Sequence, residues 1–326
     1  MINLTELNYP IEPHPTWNII DSSKLQCFMS CPRRYFYEYI LGWRPEGSNI
    51  HTVFGTAWHA MMEQLYQVGY NKNGIAAGYE KFLQIYRAHF DEDEDALFEA
   101  KNPNIALAAA KKYIEQYVDD ELTVYGTEIA GKVRITPHYE MYFKMDLITQ
   151  DSRGRFYVWD HKTTGWELNA VWMNQWGNRG QFKLYLHALA TYLHARGEDP
   201  SKIYGLIVNG AQFRVLKAGP KLNFARHIIS YDPAIQAAWA RETGQWLRFL
   251  IHQHRLLAKT SVDRPVMAAF PKNGTGEACT RWNRTCYLHD LCMTVPNPLQ
   301  IEKPSDFKVE YWNPMEVETI RERVDL

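Results

Sequence analysis

The sequence Phe143-Lys-Met-Asp-Leu-Ile-Thr-Gln-Asp-Ser-Arg-Gly-Arg-Phe-Tyr-Val-Trp-Asp-His-Lys-Thr-Thr164 is the stretch from which the fold of this chain is predicted. Two runs rich in β-branched and aromatic residues flank Asp151-Ser-Arg-Gly-Arg155, and this pattern is typical of a β-hairpin. Each predicted strand carries one carboxylate, Asp146 or Asp160, so the two side chains are expected to converge at one end of the sheet. Lys162 follows two residues after Asp160, and side-chain alternation places both on one face.

Two carboxylates and a lysine on one face predict metal-assisted hydrolysis. A hard divalent cation prefers oxygen ligands, which Asp146, Asp160 and the backbone carbonyl of His161 can supply at a strand end. Lys162 is then expected to orient or deprotonate a water molecule, or to neutralise charge on a phosphoryl oxygen. The alternative from pattern alone is a surface hairpin with an ordinary ion pair.

Length and composition limit the classes of function. The chain has 326 residues, of which 46% are hydrophobic, enough to bury a full core. Its net charge of -1 argues against a strongly basic nucleic-acid binder, but a local patch and a metal can still hold a polyanion. The N-terminus lacks a signal-sequence pattern, and no run has membrane-spanning length. We therefore expect a cytoplasmic protein with no membrane partner, whose five cysteines form no disulfide framework.

The periodicity predicts a mainly helical first third followed by a sheet. Helices are expected over 21–40, with a break at Pro32, and over 55–70, 75–90, 104–122, 171–196 and 233–257. The acidic run 91–95 is expected to be a solvated loop. Strands are expected over 128–136, 139–149, 156–161, 203–209 and 224–231. This order indicates an α/β fold with a mixed sheet flanked by helices.

The same patterns divide the chain into five consecutive regions. These are an N-terminal arm (1–21), a mainly helical region (22–126), an α/β core (127–258), a cysteine-rich loop (259–292) and a C-terminal tail (293–326). The loop is rich in Gly, Asn, Thr and Arg and is poor in regular structure, so its three cysteines suggest an external organiser.

Polar residues on two predicted helices extend the candidate site. His59 and Glu63 lie one turn apart on the second helix, and Gln181 and Tyr185 lie one turn apart on the helix after the hairpin. Each pair has a plainer alternative. A histidine at such a position is usually an ordinary core or surface residue, and the polar side of an amphipathic helix usually faces solvent.

The sequence contains an ordered set of motifs: Cys31-Pro-Arg-Arg, Gly55-Thr-Ala-Trp-His59, Asp146, Asp160-His-Lys162, Gln181-x-x-x-Tyr185 and a C-terminal cysteine cluster. In this set it resembles the iron-sulfur branch of the RecB-like PD-(D/E)XK nucleases. That branch includes the CRISPR-associated RecB-like exonucleases, the AddB-type nuclease domains and related phage exonucleases. The resemblance extends over residues 22–292. It implies a restriction-endonuclease-like core over 127–258, a helical N-terminal region and a C-terminal iron-sulfur clasp.

The resemblance implies that four groups bind Mg²⁺ or Mn²⁺: His59, Asp146, Asp160 and the carbonyl of His161. It also implies that Lys162 is the catalytic lysine, and that Gln181 and Tyr185 form a QxxxY motif that positions Lys162 and the DNA backbone. An imidazole among the ligands favours Mn²⁺. Lys144 is a departure, because many relatives have a small residue before the first aspartate.

The resemblance further implies a 4Fe-4S cluster held by four cysteines: Cys31, Cys279, Cys286 and Cys292. Such a cluster would tie the N-terminal helix to the C-terminal loop. Six residues separate Cys279 from Cys286, where the family usually has two, and this spacing leaves Cys27 open as a ligand. It also leaves open a Zn²⁺ site that includes His289. A set of unrelated structural cysteines is the remaining alternative.

Aromatic and basic residues near the predicted site are candidates for contact with DNA: Trp166, Trp172, Trp176, Asn178, Arg179, Arg33 and Arg34. Tryptophans can stack on bases, and the polar and basic groups can hold phosphates. The alternative is that the tryptophans pack in the core and the arginines are ordinary surface residues.

The resemblance implies a metal-dependent DNA exonuclease acting on single-stranded ends in recombination, repair or phage DNA processing. Its expected partners are DNA and a recombination or helicase protein. Two alternatives remain open at this point: a non-catalytic DNA-binding or scaffolding protein with a nuclease fold, and a structure-specific endonuclease.

Overall fold

The computed structural model describes residues 3–274, 276–280, 284–316 and 320–326. By its internal contacts the chain forms two compact units, each drawn from three segments. The first unit comprises Met1–Gly47, Lys132–Phe143 and Ala237–Val317, and the second comprises Ser48–Gly131, Lys144–Gln236 and Glu318–Leu326. The five consecutive regions predicted above therefore group the chain differently from its contacts, because each unit combines segments that are distant in sequence.

The described strands are β1 (Trp43–Pro45), β2 (Leu122–Thr136), β3 (Tyr139–Asp151), β4 (Phe156–Thr164), β5 (Ile203–Leu216), β6 (Gly219–Ser230), β7 (Phe307–Val309) and β8 (Glu322–Asp325). The described α-helices are α1 (Ser22–Ser30), α2 (Pro32–Tyr35), α3 (Ile50–Val68), α4 (Lys72–Arg87), α5 (Pro103–Tyr117), α6 (Ala170–Asn174), α7 (Gly180–Ala195), α8 (Pro233–Leu257), α9 (Gly276–Cys279) and α10 (His289–Thr294). None of the described helices is both long enough and apolar enough to cross a membrane.

A six-stranded mixed sheet runs in the order β6-β5-β4-β3-β2-β8. The β3–β4 and β5–β6 pairs are antiparallel, whereas β4 and β5 are parallel. A parallel pair needs a crossover connection, and α6 and α7 lie within the segment that joins β4 to β5. The predicted α/β class, with a mixed sheet and accompanying helices, is confirmed.

The turn between β3 and β4 forms as the hairpin pattern predicts. The N–H of Gly154 donates to the carbonyl of Asp151 over 2.9 Å, and the N–H of Asp151 donates to the carbonyl of Arg155 over 3.0 Å. The Asp151 carboxylate accepts from the backbone N–H groups of Arg153 and Arg155. Gly154 has φ +75°, a left-handed conformation that a residue without Cβ adopts at no steric cost.

In the second unit α3, α4 and α5 share a buried core with β5 and β6. Each of these helices begins after an asparagine whose side chain accepts a backbone N–H of the first turn: Asn49, Asn71 and Asn102. Their apolar stripes bring aromatic rings together, such as Phe54 and Phe213, whose centroids lie 4.8 Å apart. This packing fixes α3 against the sheet.

In the first unit α1 begins where the sequence predicts. The Asp21 carboxylate accepts the N–H of Lys24 over 2.9 Å, and the helix ends at Ser30. Cys31 has an extended backbone and Pro32 opens α2, so the predicted break at the proline is confirmed. The chain then continues through a π-helical turn over Phe36–Ile40.

Two local predictions are wrong. The long helix expected over 171–196 is divided into α6 and α7, because the intervening stretch contains Gly177 and a second glycine, Gly180, opens α7. The acidic run is solvated as predicted, since none of its residues is buried, but it is not a plain loop. It forms a 3-10 helix over Glu92–Leu97, in which Asp95 pairs with Arg87 at 2.6 Å.

Candidate active site

The two predicted carboxylates lie on neighbouring strands. The β3–β4 register pairs Leu147 with Trp159, and the next position in that register sets Asp146 opposite Asp160. Both side chains are buried, at 8% and 1% exposure. Lys162 lies on the same face as Asp160, with its Nζ 2.6 Å from Oδ2. The site therefore follows from strand alternation and register, as the sequence predicts.

His59 reaches this site from α3. Its Nδ1 lies 3.1 Å from Oδ2 of Asp146, and the same oxygen accepts the backbone N–H of His161 over 3.0 Å. Burial lowers the pKa of His59, but the Asp146 carboxylate outweighs it and raises the pKa overall. Burial raises the pKa of Asp146, but the His59 imidazole outweighs that effect and holds the pKa well below its usual range. The carboxylate thus favours the protonated form of the imidazole, and the imidazole favours the ionised form of the carboxyl group.

Asp160 is held from two sides. Nε2 of Gln181 donates to Oδ1 of Asp160 over 3.2 Å and to the hydroxyl of Tyr185 over 2.9 Å. Burial raises the pKa of Asp160, and the Lys162 ammonium opposes this rise. Oδ2 of Asp160 pairs with the Lys162 ammonium, so both oxygens of this buried carboxylate have a partner. Gln181 acts here on Asp160, whereas the resemblance implied that it positions Lys162.

The His161 ring lies on the opposite face of the sheet. Its Nδ1 is 2.9 Å from Nδ2 of Asn209. Tyr66 stacks on the ring at 5.7 Å between centroids. Burial lowers the pKa of His161 to about 3, which keeps the ring neutral. The backbone N–H of His161 is directed to Asp146, and the role of its carbonyl as a metal ligand stays a prediction.

Sequence reasoning missed the buried ion pairs beside this site. Glu63, one turn after His59 on α3, has Oε1 2.8 Å from Nε of Arg321. Glu128 has φ +49° and pairs with Lys144 at 2.5 Å, and burial raises the pKa of Glu128 to about 7. Lys144, the departure noted above, thus compensates a buried glutamate. Arg321 is separated from Glu63 by 258 positions, and no local pattern links them.

The donors of the site fit a divalent cation by their chemistry. Two carboxylates, an imidazole and a backbone carbonyl are donor groups that suit Mg²⁺ or Mn²⁺. Their side chains are turned toward cationic neighbours, since Asp146 faces His59 and Asp160 faces Lys162. In the described part of the chain no three His, Cys, Asp or Glu side chains form a ready metal-binding group.

The predicted cluster cysteines all belong to the first unit, and all are free thiols. Burial raises the pKa of Cys292 to about 11, and the neighbouring Cys31 and Cys286 raise it further. The backbone N–H of Cys286 donates to the carbonyl of Cys279 over 2.7 Å. The cationic groups of Arg33, Arg34 and Lys272 oppose the rise in the pKa values of Cys286 and Cys292 but do not cancel it. Within the described ranges the cysteines do not form a ready metal-binding set, so the cluster stays a prediction.

The two alternative cluster ligands are engaged elsewhere. Sγ of Cys27 lies 3.7 Å from Oε2 of Glu38, the carboxylate that also pairs with Arg34. Nδ1 of His289 lies 3.1 Å from the carboxylate of the adjacent Asp290. These contacts favour neither residue as a cluster ligand.

The prediction that Arg33 contacts phosphate is wrong. Arg33 is 3% exposed, and its guanidinium donates to the backbone carbonyls of Phe270 and Met267. It therefore fastens α2 to the chain around residue 270 within the first unit. Arg34 is partly exposed and pairs with Glu38, so its role at DNA stays a prediction.

The tryptophans after β4 differ in exposure. Trp166 is 76% exposed, whereas Trp172 is buried against Gly210, where a Cβ would approach the indole to 2.5 Å. Trp176 is half-buried between Trp172 and Phe182, and the guanidinium of Arg179 lies 5.4 Å from its ring centroid. Packing thus accounts for Trp172 and partly for Trp176, while the stacking role of Trp166 stays a prediction.

A sequence model of the PD-(D/E)XK nuclease superfamily matches residues 22–293. The chain belongs to the PD-(D/E)XK nuclease superfamily. The expected core of this superfamily is confirmed, whereas the RecB-like and iron-sulfur specifics remain predictions. Such nucleases typically use divalent metals, and their substrate is DNA.

Two solved structures are similar to this PD-(D/E)XK chain. One is a "Putative exonuclease" from Eubacterium rectale, at 12% identity and a TM-score of 0.43, covering 75% of this chain and 82% of the other. The other is SSO0001, at 13% identity and a TM-score of 0.31, covering 71% and 76% respectively. No curated protein matches the sequence.

Proposed function

We propose that this protein is a metal-dependent DNA exonuclease that hydrolyses phosphodiester bonds from single-stranded ends in recombination, repair or phage DNA processing. The observation that carries the proposal is the set of Asp146, Asp160 and Lys162 on adjoining strands of a PD-(D/E)XK chain. His59 and Gln181 bind the two carboxylates from α3 and α7. The intact acidic pair and lysine disfavour a purely scaffolding role.

The proposed mechanism divides the roles among these residues. His59, Asp146, Asp160 and the His161 carbonyl would hold Mg²⁺ or Mn²⁺, which when bound supplies Lewis-acid chemistry at the scissile phosphate. Through its Nζ, Lys162 would orient the attacking water or neutralise charge on a phosphoryl oxygen. Gln181 fixes the carboxylate plane of Asp160 through Oδ1.

Digestion of end-labelled single-stranded DNA tests this proposal. The purified protein should release labelled nucleotides with Mg²⁺ or Mn²⁺ and stop when the metal is chelated. Asp160→Ala and Lys162→Ala should abolish cleavage and retain DNA binding, with the helix-surface variant Gln84→Ala as a control. Metal-dependent cleavage that survives in both site variants would remove these residues from the mechanism.

Substrate topology separates the exonuclease from its alternatives. Separate 5′ and 3′ labels give the polarity, and covalently closed circular DNA is resistant only if an end is required. Cleavage of the circles would support the structure-specific endonuclease instead. DNA binding without any cleavage in either metal would support the non-catalytic DNA-binding or scaffolding alternative.

We also propose that Cys31, Cys279, Cys286 and Cys292 bind a 4Fe-4S cluster. Support comes from their presence in one unit and from the electrostatic contact among three of the thiols. Anaerobically purified protein should be brown, and Cys286→Ser should lose the colour while Cys27→Ser retains it. Colourless protein that contains stoichiometric Zn²⁺ would indicate a zinc site instead of an iron-sulfur cluster. We also propose a cytoplasmic location, where thiols stay reduced. A recombination or helicase protein is the proposed partner.

A further inference from the structure

A cavity of about 400 Å³ lies in the second unit and is lined by residues that the proposed mechanism does not use. Its volume falls in the range of small-ligand sites. Four of its lining residues are carboxamides: Gln116, Asn169, Gln212 and Asn223. The cavity is thus rich in neutral groups that both donate and accept hydrogen bonds.

The strand register relates this cavity to the catalytic face of the sheet. Thr164 on β4 pairs with Gln212 on β5, and residues paired across neighbouring strands share a face. Thr164 lies two residues beyond Lys162, so Gln212 shares the face of Lys162. At 3.3 Å per residue it lies roughly 7 Å further along the strand direction. The wall of the cavity that Gln212 forms therefore lies on the catalytic face of the sheet.

The deepest of the amides lacks a full set of partners. Gln212 is 1% exposed and its Oε1 accepts from Nδ2 of Asn223 over 2.8 Å, but its Nε2 is buried with no hydrogen-bond partner. An unmade hydrogen bond of this kind is costly. A ligand acceptor that reaches this donor would remove the penalty.

The charged groups of the cavity wall do not by themselves select a ligand. The Lys221 ammonium pairs with Glu167 at 2.8 Å, and the Lys112 ammonium donates to the carbonyl of Leu222 over 2.5 Å. The four carboxamides outnumber these charged groups. They suit a ligand that both donates and accepts hydrogen bonds, such as a polar planar group.

An exposed aromatic residue is adjacent in sequence to the residues that line the cavity. Trp166 is 76% exposed and immediately precedes Glu167, which lines the cavity together with Asn169. Exposed tryptophans next to polar clefts serve as stacking surfaces for bases. The same short loop therefore supplies both a stacking surface and a hydrogen-bonding wall.

We propose that the carboxamide-lined cavity receives a nucleobase of the DNA strand next to the scissile phosphate. The inference rests on the proposed nuclease function and deepens it, because it assigns a base-binding site to the strand that Lys162 cleaves. Its ligand is a base in an unpaired strand, since a stacked and paired base offers no free edge of this kind. Phosphate contacts are left to other residues.

Binding in the presence of a chelator tests the cavity independently of cleavage. Fluorescence anisotropy compares a short oligodeoxythymidylate with an abasic strand of the same length on the full chain. The base-bearing strand should bind roughly tenfold tighter, the size expected for one stacked and hydrogen-bonded base. Ala225→Leu, which fills the cavity from a lining position, should reduce this preference to about one.

Ala77→Leu is the matched control, because it makes the same change at a half-buried alanine of α4 outside the cavity. It should keep the full preference. If Ala225→Leu loses cooperative melting, Asn223→Ala provides the readout, since it removes one amide from the wall.

Equal affinity for the two strands in the native protein would overturn the inference, as would a preference that survives in the cavity variants. A parallel digestion with Mn²⁺ keeps the two proposals distinct. Cleavage without base preference refutes the cavity assignment alone. Base preference without cleavage refutes the nuclease function and leaves the cavity as a base-binding site.

Discussion

Gln181→Ala removes the hydrogen bond that orients Asp160 and leaves the metal-ligand candidates in place. A hydrogen bond to a charged group contributes about 1.5–3 kcal/mol. The Gln181–Asp160 distance is 3.2 Å and Gln181 is half-buried, so the lower end applies. Since 1.36 kcal/mol corresponds to a factor of ten, we expect about a tenfold loss in the single-turnover cleavage rate.

Tyr185→Phe is the informative companion variant. It removes an acceptor for Gln181 but leaves the contact between Gln181 and Asp160, so we expect no more than about a threefold loss, below 1 kcal/mol. The order of effects, Gln181→Ala larger than Tyr185→Phe, tests whether Gln181 acts through Asp160. Gln84→Ala on α4 makes the same deletion at an exposed glutamine and should cleave at the native rate.

The assay is single-turnover digestion of labelled single-stranded DNA over a metal titration. Because a poorly oriented Asp160 weakens the metal site, the metal concentration for half-maximal rate should rise in Gln181→Ala. Loss of protein stability alone would not produce that shift. A native rate and a native metal requirement in Gln181→Ala would refute the role assigned to this side chain.

Two further predictions concern stability. Burial lowers the pKa of His254 to about 3, so between that pH and about 6.5 the unfolded chain binds a proton that the folded chain does not. The contribution of His254 to stability is therefore full above pH 6.5 and decreases as the pH is lowered. Between pH 7 and 5 the free energy of unfolding should fall by about 2 kcal/mol, and this loss should be absent in His254→Leu and retained in the exposed control His138→Gln. Parallel pH dependence in all three proteins would contradict the prediction. Arg33→Ala should lower the free energy of unfolding by about 3 kcal/mol, because two backbone carbonyls lose their donor. Arg34→Ala should lower it by less than about 1 kcal/mol. Equal denaturation midpoints for the two variants would contradict the structural role of Arg33.

The hairpin and its catalytic face were predictable because both depend on local rules. Period-two alternation sets Asp160 and Lys162 on one face, and the turn over Asp151–Arg155 fixes the register that aligns Asp146 with Asp160. Helical spacing likewise predicts that Gln181 and Tyr185 meet, which their hydrogen bond confirms.

The role of Arg33 was not predictable from its neighbours. Adjacent arginines after a proline look alike in sequence, yet Arg33 is buried and Arg34 is partly exposed. The helical phase of α2 decides which of them turns inward, and the accepting carbonyls come from Met267 and Phe270, more than 200 positions away. Only tertiary packing brings such partners together.

The sequence by itself determined the α/β class, the hairpin, and the carboxylates and lysine of the candidate site, since these follow from alternation, turn chemistry and helical period. The tertiary structure alone decided that Glu63 is compensated by Arg321, that Asn209 holds the His161 ring, and that carboxamides from separate elements line one cavity. The physical reason is that local rules fix the direction of a side chain relative to its own element. Which distant group meets it depends on how the elements pack.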